Sequence, residues 1–298
     1  MNFSQLQSFV AVADTGSFTE AAYAIDLTQS AVSHALAALE RELGVTLLER
    51  NHTGMVALTH AGHSILPHVR ALLAQAETIQ QEAQAVRGLA RGKLRLGSIP
   101  PISPRLLAGV LTHFQQQYPD IDVVLFEGTI QEIYEWIGTS MIDVGFVHHP
   151  AKGIESTHLA TDELQVFVAR GHRLHARTCV TINELREERL IMPRTGCEVP
   201  EIYDQKRRKH GPSIRYQASE GATILAMVRE GLDITILPHM VLPEKLEGIA
   251  GIPFDPPRHV QIGLAVRSVD SASPGATLFV QTAVAWVQGH AALLHRTR

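Results

Sequence analysis

Between Phe18 and Arg50 the apolar residues recur at helical spacing, stop at a short polar break, and recur again. Ser17 precedes the first run and Glu20 stands three residues after it, the spacing of a capping box, which predicts a helix from Ser17 to about Ile25. Thr28 then caps a second helix in which Val32, Leu36, Leu39 and Leu43 follow one another at spacings of 4, 3 and 4. Those four share one face and are expected to pack inward against the first helix. Gln29, Ser30, Ser33, His34 and Ala37 are left facing outward. Short or amide-bearing side chains grouped at a helix N-terminus suit close approach to base edges and phosphates in a major groove. The plainer alternative is an ordinary amphipathic surface helix.

The next stretch, roughly Leu47 to Leu58, carries Asn51-His52-Thr53-Gly54 as turn residues and reads as a wing. From Thr59 to Leu89 the period is helical and long: Ile65, Val69, Leu72, Ala76, Ile79, Ala83 and Val86 repeat at spacings of 4, 3, 4, 3, 4 and 3. A seam this regular needs a long partner, so pairing with a second chain is expected in preference to packing on its own domain. Alanines at two seam positions allow close approach, and Leu66 and Leu73 widen the stripe. Pro67 predicts a kink or a break in the first turns. Arg87-Gly88-Leu89-Ala90-Arg91-Gly92 ends the helix with two glycines and reads as a hinge.

Beyond Lys93 the pattern changes to short apolar strands alternating with helices: Leu94 to Gly97, then Leu106 to Tyr118; Val123 to Phe126, then Gln131 to Ile137; Val144 to Val147. Alternation of this kind predicts parallel sheet with crossover helices. Ligands of such sheets sit at strand C-termini and helix N-termini. Ser103 with Pro104, and Thr129 with Glu132, are spaced as helix caps at two of those ends. A second lobe is expected over about Leu164 to Gly263, from the runs Gln165 to Ala169, Leu190 to Pro193, Ile214 to Gln217 and Ile234 to Pro238. Ile262 to Val266 and a helix over Ala276 to Gln288 return to the first lobe.

Residues at fixed spacing make the first segment resemble the N-terminal winged helix-turn-helix of the LysR-type transcriptional regulators. They are Ala21-Ala22, Leu27-Thr28-Gln29-Ser30-Ala31-Val32-Ser33, Leu36, Leu39-Glu40, Leu43-Gly44, Leu47 and Glu49-Arg50, with Thr59 and Gly62 beyond the wing. Ile25 and Leu48 stand where the family usually has Leu and Phe, apolar exchanges that a core tolerates. A looser resemblance to the family's effector domain, akin to periplasmic solute-binding folds, runs through Tyr118-Pro119-Asp120-Ile121, Ile142-Asp143-Val144-Gly145, Leu190 to Pro193 and Met227 to Pro238. Asp233 replaces a usual glycine there, and aspartate tolerates a left-handed backbone better than most residues.

The resemblance implies an α+β multidomain chain. An all-α winged helix-turn-helix occupies 1–58, a linker and dimerisation helix 59–89 and a hinge 90–92. A two-lobed α/β effector domain akin to periplasmic binding proteins occupies 93–298, with lobe I at about 93–163 and 264–298 and lobe II at about 164–263. It also implies a homodimer or homotetramer whose paired recognition helices face two half-sites of a dyad-symmetric DNA operator, with RNA polymerase as a further partner. The DNA contacts fall to Thr28, Gln29, Ser30, Ser33, His34, Ala37 and Arg41, with Arg50, His52 and Thr53 from the wing. By position, the effector cleft is expected to be lined by Ser98, Pro100, Ile102, Ser103, Thr129, Phe146, His148, Thr195, Cys197 and Thr223. For Ser103, Thr129 and Thr223 helix capping alone is the competing role. Few charges in that set suggest a small organic effector with one carboxylate or similar group held by hydroxyls and backbone amides.

Composition narrows the field. At 298 residues the chain has room for two or three domains with real cores. No run of 18 uncharged apolar residues occurs and Met1-Asn2-Phe3-Ser4 does not open a signal peptide, so a cytoplasmic protein is expected. Cys179 and Cys197 cannot build a disulfide framework. Charge runs against a nucleic-acid binder, because residues 1–58 hold Arg41 and Arg50 against six carboxylates, a net −4. That predicts a shallow salt dependence and useful DNA binding only by an oligomer.

Gly-x-Ser-x-Gly, Walker-type, Gly-x-Gly-x-x-Gly, Cys-x-x-Cys and His-Glu-x-x-His motifs are absent, which argues against an enzyme, and no cofactor is expected. The 16 histidines include His60/His63/His68, His148-His149 and His172/His175, but no carboxylate or cysteine completes a metal shell around them. A metal- or thiol-responsive regulator of the same fold stays as the alternative, with Cys197 near Arg194 its most reactive thiol.

Overall fold

The computed structural model describes residues 1–50, 56–87, 90–99, 106–194, 212–241 and 247–290. The chain divides into two compact units, Met1–Leu89 with Gly138–Met141, and Ala90–Ile137 with Ile142–Arg298. The expected wing turn, much of the first cleft loop (Pro100, Ile102, Ser103), Thr195, Cys197, His52 and Thr53 lie outside the described residues, as does the side chain of Arg50.

The first unit opens with a helix that the sequence reading did not include. α1 (Phe3–Thr15) starts in a reciprocal capping box between Asn2 and Gln5 and stops at Gly16, whose φ of 65° closes the C-cap. Leu6, Phe9 and Val12 give it a buried face. α2 (Phe18–Ala24) begins at Ser17, whose Oγ accepts the Glu20 N–H at 3.4 Å. The expected return bond from Glu20 is not made, because the Ser17 N–H goes to Thr15 Oγ1 at 3.3 Å. α3 (Gln29–Leu43) runs from the Thr28 cap to a left-handed Gly44. Val32, Leu36 and Leu39 sink into one core with Phe9, Val12 and Ala21. Leu43 does not join them: in the last turn, beyond the end of that core, it is 39% exposed.

The wing is a β hairpin added to these helices. β1 (Leu48–Arg50) pairs antiparallel with β2 (Val56–Leu58), Leu48 opposite Leu58. α4 (His60–Ala85) follows, capped by Thr59 Oγ1, which accepts the Gly62 N–H at 3.0 Å. It passes through Pro67 without the expected break, since Leu66 and Val69 on either side are buried in the domain core and hold both turns in place. Arg70 pairs with Asp14, tying α4 to α1.

In the second unit β3 (Gly92–Ser98), β4 (Ile121–Glu127) and β5 (Val144–His148) are parallel, linked through α5 (Ala108–Gln117) and α6 (Ile130–Gly138). Gly97 and Gly145 stand side by side across β3 and β5, and a Cβ on either would collide with Ile133 or Ile142. Their lack of a side chain lets α6 lie close on the sheet.

The expected all-parallel pattern ends here. β6 (Glu155–Ala169) is one strand of 15 residues, antiparallel to β11 (His259–Val266) over its first part and to β9 (Thr235–Pro238) and β10 (Ile249–Pro253) over its second. The lobe boundary expected at 163/164 therefore falls within a continuous strand. β7 (Arg189–Pro193) and β8 (Ser213–Ala218) form a parallel pair, with α7 (Gly221–Arg229) packed beside them. α8 (Pro274–Gly289) starts at the Ser273 cap and returns to the first lobe's core.

Asp233 departs from its expectation. Left-handed backbone in this turn belongs to Gly231, at φ 75°, while the Asp233 carboxylate is almost enclosed between Arg189 Nε at 3.3 Å and Arg215 Nη1 at 3.5 Å.

Candidate functional site

The outer face of α3 is a continuous polar surface. Burial of Val32, Leu36 and Leu39 fixes the helix's rotation, so Gln29, Ser30, Ser33, His34, Ala37 and Arg41 are all solvent-facing. Ser30, the Ser33/His34 pair, Ala37 and Arg41 follow at three- and four-residue steps along one stripe. Thr28 Oγ1 accepts the Ala31 N–H at 3.2 Å and lies 3.1 Å from Ser30 Oγ, while the N–H groups of Gln29 and Ser30 at the helix start have no intrahelical acceptor. Arg41, in the last turn, sits where a cation is favoured by the helix dipole. Asp26, at φ 53°, makes the sharp turn into this helix. Tyr23, 81% exposed at the end of α2, is an aromatic on the same small module that the periodicity did not single out.

Of the negative charges that weighed against DNA, Asp14 is paired with Arg70 and Glu40 is engaged by backbone amides at the base of the wing. Both carboxylates are thereby turned to internal use.

The seam on α4 is not one surface. Val69 is buried and Ile65 half-buried in the first unit's own core, so these two do not fit the partner-facing role expected of them. Past that core the same seam is open: Leu72 is 39%, Ile79 69% and Val86 87% exposed, with Ala76 half-buried and Ala83 exposed.

Effector candidates within the described residues have different fates. Phe146 is wholly buried among Leu94, Leu96 and Phe279, a core residue and not a cleft wall. The Ser98 side chain is also enclosed, and its carbonyl accepts the Gly128 N–H at 3.1 Å. Thr129 caps α6 as expected, with the Glu132 N–H on its Oγ1 at 3.1 Å and its own N–H donated to Glu132 Oε2 at 2.7 Å. The N–H and the hydroxyl of Thr129 hold the Glu132 carboxyl below the usual carboxylate range. Thr223 lies exposed in the first turn of α7 and caps nothing, since Glu220 is the N-cap residue. His148 is half-buried at the end of β5, and the neighbouring His149 Nδ1 lies 3.0 Å from Ser156 Oγ.

Asp162, in the middle of β6, was not singled out from the sequence. It is 3% exposed and accepts the Met240 N–H at 2.7 Å and the Glu163 N–H at 2.9 Å. Met240 follows lobe II strand β9, yet its side chain packs in the core of the first lobe. Asp162 therefore pins the chain where it passes between lobes. Burial pushes its carboxyl above the ordinary value, against the pull of the two amides.

Cys179 is exposed. Among the described residues no three His, Cys, Asp or Glu side chains gather as a metal site, and no helix is long and apolar enough to cross a membrane.

Residues 3–63 match the model of the bacterial regulatory helix-turn-helix protein, lysR family, and residues 87–288 that of the LysR substrate binding domain. An uncharacterised HTH-type transcriptional regulator of Bacillus subtilis, YvbU, is 36% identical over 95% of this chain and 98% of its own length. Among solved structures, CbnR in complex with its target DNA is 28% identical, covers 96% of this chain and 100% of its own, and superposes with a TM-score of 0.64. A cysteine-to-serine mutant of Corynebacterium glutamicum OxyR with bound hydrogen peroxide is 27% identical, over 98% of this chain and 94% of its own, with a TM-score of 0.62.

Proposed function

The chain belongs to the LysR family of bacterial transcriptional regulators, and on that premise we propose that it reads a dyad-symmetric operator through paired copies of α3, under control of a small effector held between the lobes of the second unit. One observation carries the DNA reading: a capped, core-anchored helix presents Gln29, Ser30, Ser33, His34 and Arg41 on a single open stripe. Arg50, His52 and Thr53 of the wing complete the proposed contact set. CbnR, a structural relative, has been solved on its target DNA, which supports the same use of this module here. Homologues of this family are regulators and not enzymes.

Pairing is proposed through the outer part of α4. The exposed Leu72, Ile79 and Val86, with Ala76 and Ala83 between them, keep the heptad step beyond the domain core and fit the seam of a second copy. A homodimer or homotetramer built this way places two recognition helices on one duplex. RNA polymerase is the further partner such a regulator would meet.

For the effector, the engaged state of Thr129 changes the expected chemistry. Its N–H, one of the donors expected to receive an effector carboxylate, is already held by Glu132, and the Glu132 charge opposes a second anion at that helix end. The group that meets α6 is therefore proposed to be neutral or cationic.

A selection of duplexes from a randomised pool by the full chain tests the DNA reading, which requires an enriched sequence with inverted half-sites. Thermal-shift screening of metabolites against the full chain then tests the effector reading. A peroxide-responsive regulator is the second reading, favoured by the similarity to OxyR with hydrogen peroxide bound. It requires that peroxide alter operator protection by the wild-type chain and not by a Cys179→Ser/Cys197→Ser variant.

A further inference from the structure

We propose that the Leu47 peptide is the joint that fixes the wing against both α3 and α4, with Glu40 and Thr59 as its positioning residues, and that operator affinity depends on it through the placement of the wing. This rests on the operator-binding reading above. Leu47 has no exposed surface. Its N–H donates to Glu40 Oε1 at 2.7 Å, and the same carboxylate oxygen accepts the Leu48 N–H at 3.2 Å. Leu48 opens β1 and Leu47 directly precedes it, so the last turn of α3 grips the wing at its base.

The carbonyl of Leu47 is held from the other side. It accepts the Thr59 N–H at 2.9 Å, and the Thr59 hydroxyl lies 3.2 Å from it and 2.7 Å from Thr46 O. Thr59 is also the N-cap of α4, so the residue that starts the linker helix is bonded to the residue that starts the wing. Gly62 shows how close the approach is, since a Cβ there would overlap Leu47 O. The Leu47–Leu48 peptide, its N–H on Glu40 and its carbonyl on Thr59, thus joins the recognition helix, the wing and the linker helix.

Two bonds to a carboxylate are stronger than two between neutral groups. β1 extends from the joint to Arg50, roughly 10 Å at the rise of a strand, so freedom at the base is magnified at the tip. Glu40 is accordingly placed to set where the wing meets DNA without touching DNA itself.

The test compares full-length wild type, Glu40→Ala, Glu40→Gln and Thr59→Ala on a duplex that the wild type selects from a randomised pool. Gln keeps the carbonyl oxygen that both amides need. Glu40→Ala is expected to lose about ten-fold in operator affinity. Its hydroxyl-radical protection should shrink at the wing's part of the footprint while the α3 part persists. Glu40→Gln should restore most of both, and Thr59→Ala, which keeps its N–H on Leu47 O but loses the hydroxyl contacts to Thr46 O and Leu47 O, should show the Ala pattern in smaller measure, which keeps the test open should Glu40→Ala fail to fold. Binding by a folded Ala variant within two-fold of wild type overturns the joint, as does a uniform loss of protection accompanied by a lowered melting temperature. Failure of the wild type to select any duplex overturns the operator reading itself and the joint with it.

Discussion

Leu39 shows what a single side chain contributes to the DNA-reading surface. It has no exposed surface and sits in the core shared by α1, α2 and α3, so its packing sets the rotation of the polar stripe. Leu39→Ala is expected to destabilise the first unit by about 2–5 kcal/mol, measured as a shift of its urea unfolding midpoint. Gln29→Ala, on the opposite face, should leave unfolding unchanged and weaken specific binding by about 1–3 kcal/mol in a gel-shift titration on the selected duplex. Asp162 makes a prediction of a different kind. Its folded-state carboxyl titrates above the ordinary 3.8, so its protonated form is the one folding favours. Its contribution is complete at pH below 3.8 and declines as pH rises through the raised value. The melting temperature of wild type relative to Asp162→Asn should therefore rise as pH is lowered from 7 towards 4. Glu184 acts in the opposite sense: bonds from the Thr181 N–H and Arg177 draw its carboxyl down to about 2, so its contribution is complete above pH 4.5 and is lost as pH falls from there through about 2. The α3 stripe was legible in the sequence because periodicity alone assigns its two faces. Phe146 was not, since a strand covered on both faces is apolar throughout and gives no sign of which residue meets a ligand.

At the scale of elements, periodicity names a face without naming its partner. The α4 heptad was legible from Ile65 to Val86, yet only the structure divides it into an inner part spent on its own core and an outer part left open. Ile79→Asp, 69% exposed in the folded chain, should leave the first unit folded, convert the sedimenting species to monomer and reduce operator binding by the loss of bivalency. Leu72→Asp, at 39% exposure, should do the same with some added loss of stability. An unchanged sedimentation coefficient for both variants would rule out this seam. β6 was half-hidden in the sequence because its first part, Glu155 to Glu163, which pairs with β11, is rich in polar residues and lacks the apolar run that announced the other strands. α1 was signalled by Asn2 and Gln5 and by the three-residue steps of Leu6, Phe9 and Val12, a pattern overshadowed by the stronger motif that follows.

For the molecule as a whole, charge sets how the protein finds DNA. Residues 1–58 carry a net −4, with Asp14 paired to Arg70 and Glu40 engaged by backbone amides. Few phosphate contacts imply a shallow fall of log K with log salt, to be read from a fluorescence-anisotropy titration across salt concentrations. Specificity must then come from base contacts doubled by pairing. The central claim is that two copies of this chain, joined along α4, read two half-sites with α3. It is tested most directly by hydroxyl-radical footprinting of the full-length protein on the duplex it selects from a randomised pool. The account predicts two symmetric protected patches on one face of the duplex, centred about 34–36 Å apart or a multiple of that, both lost with Ile79→Asp. A single asymmetric patch, or a footprint that Ile79→Asp leaves intact, would contradict it.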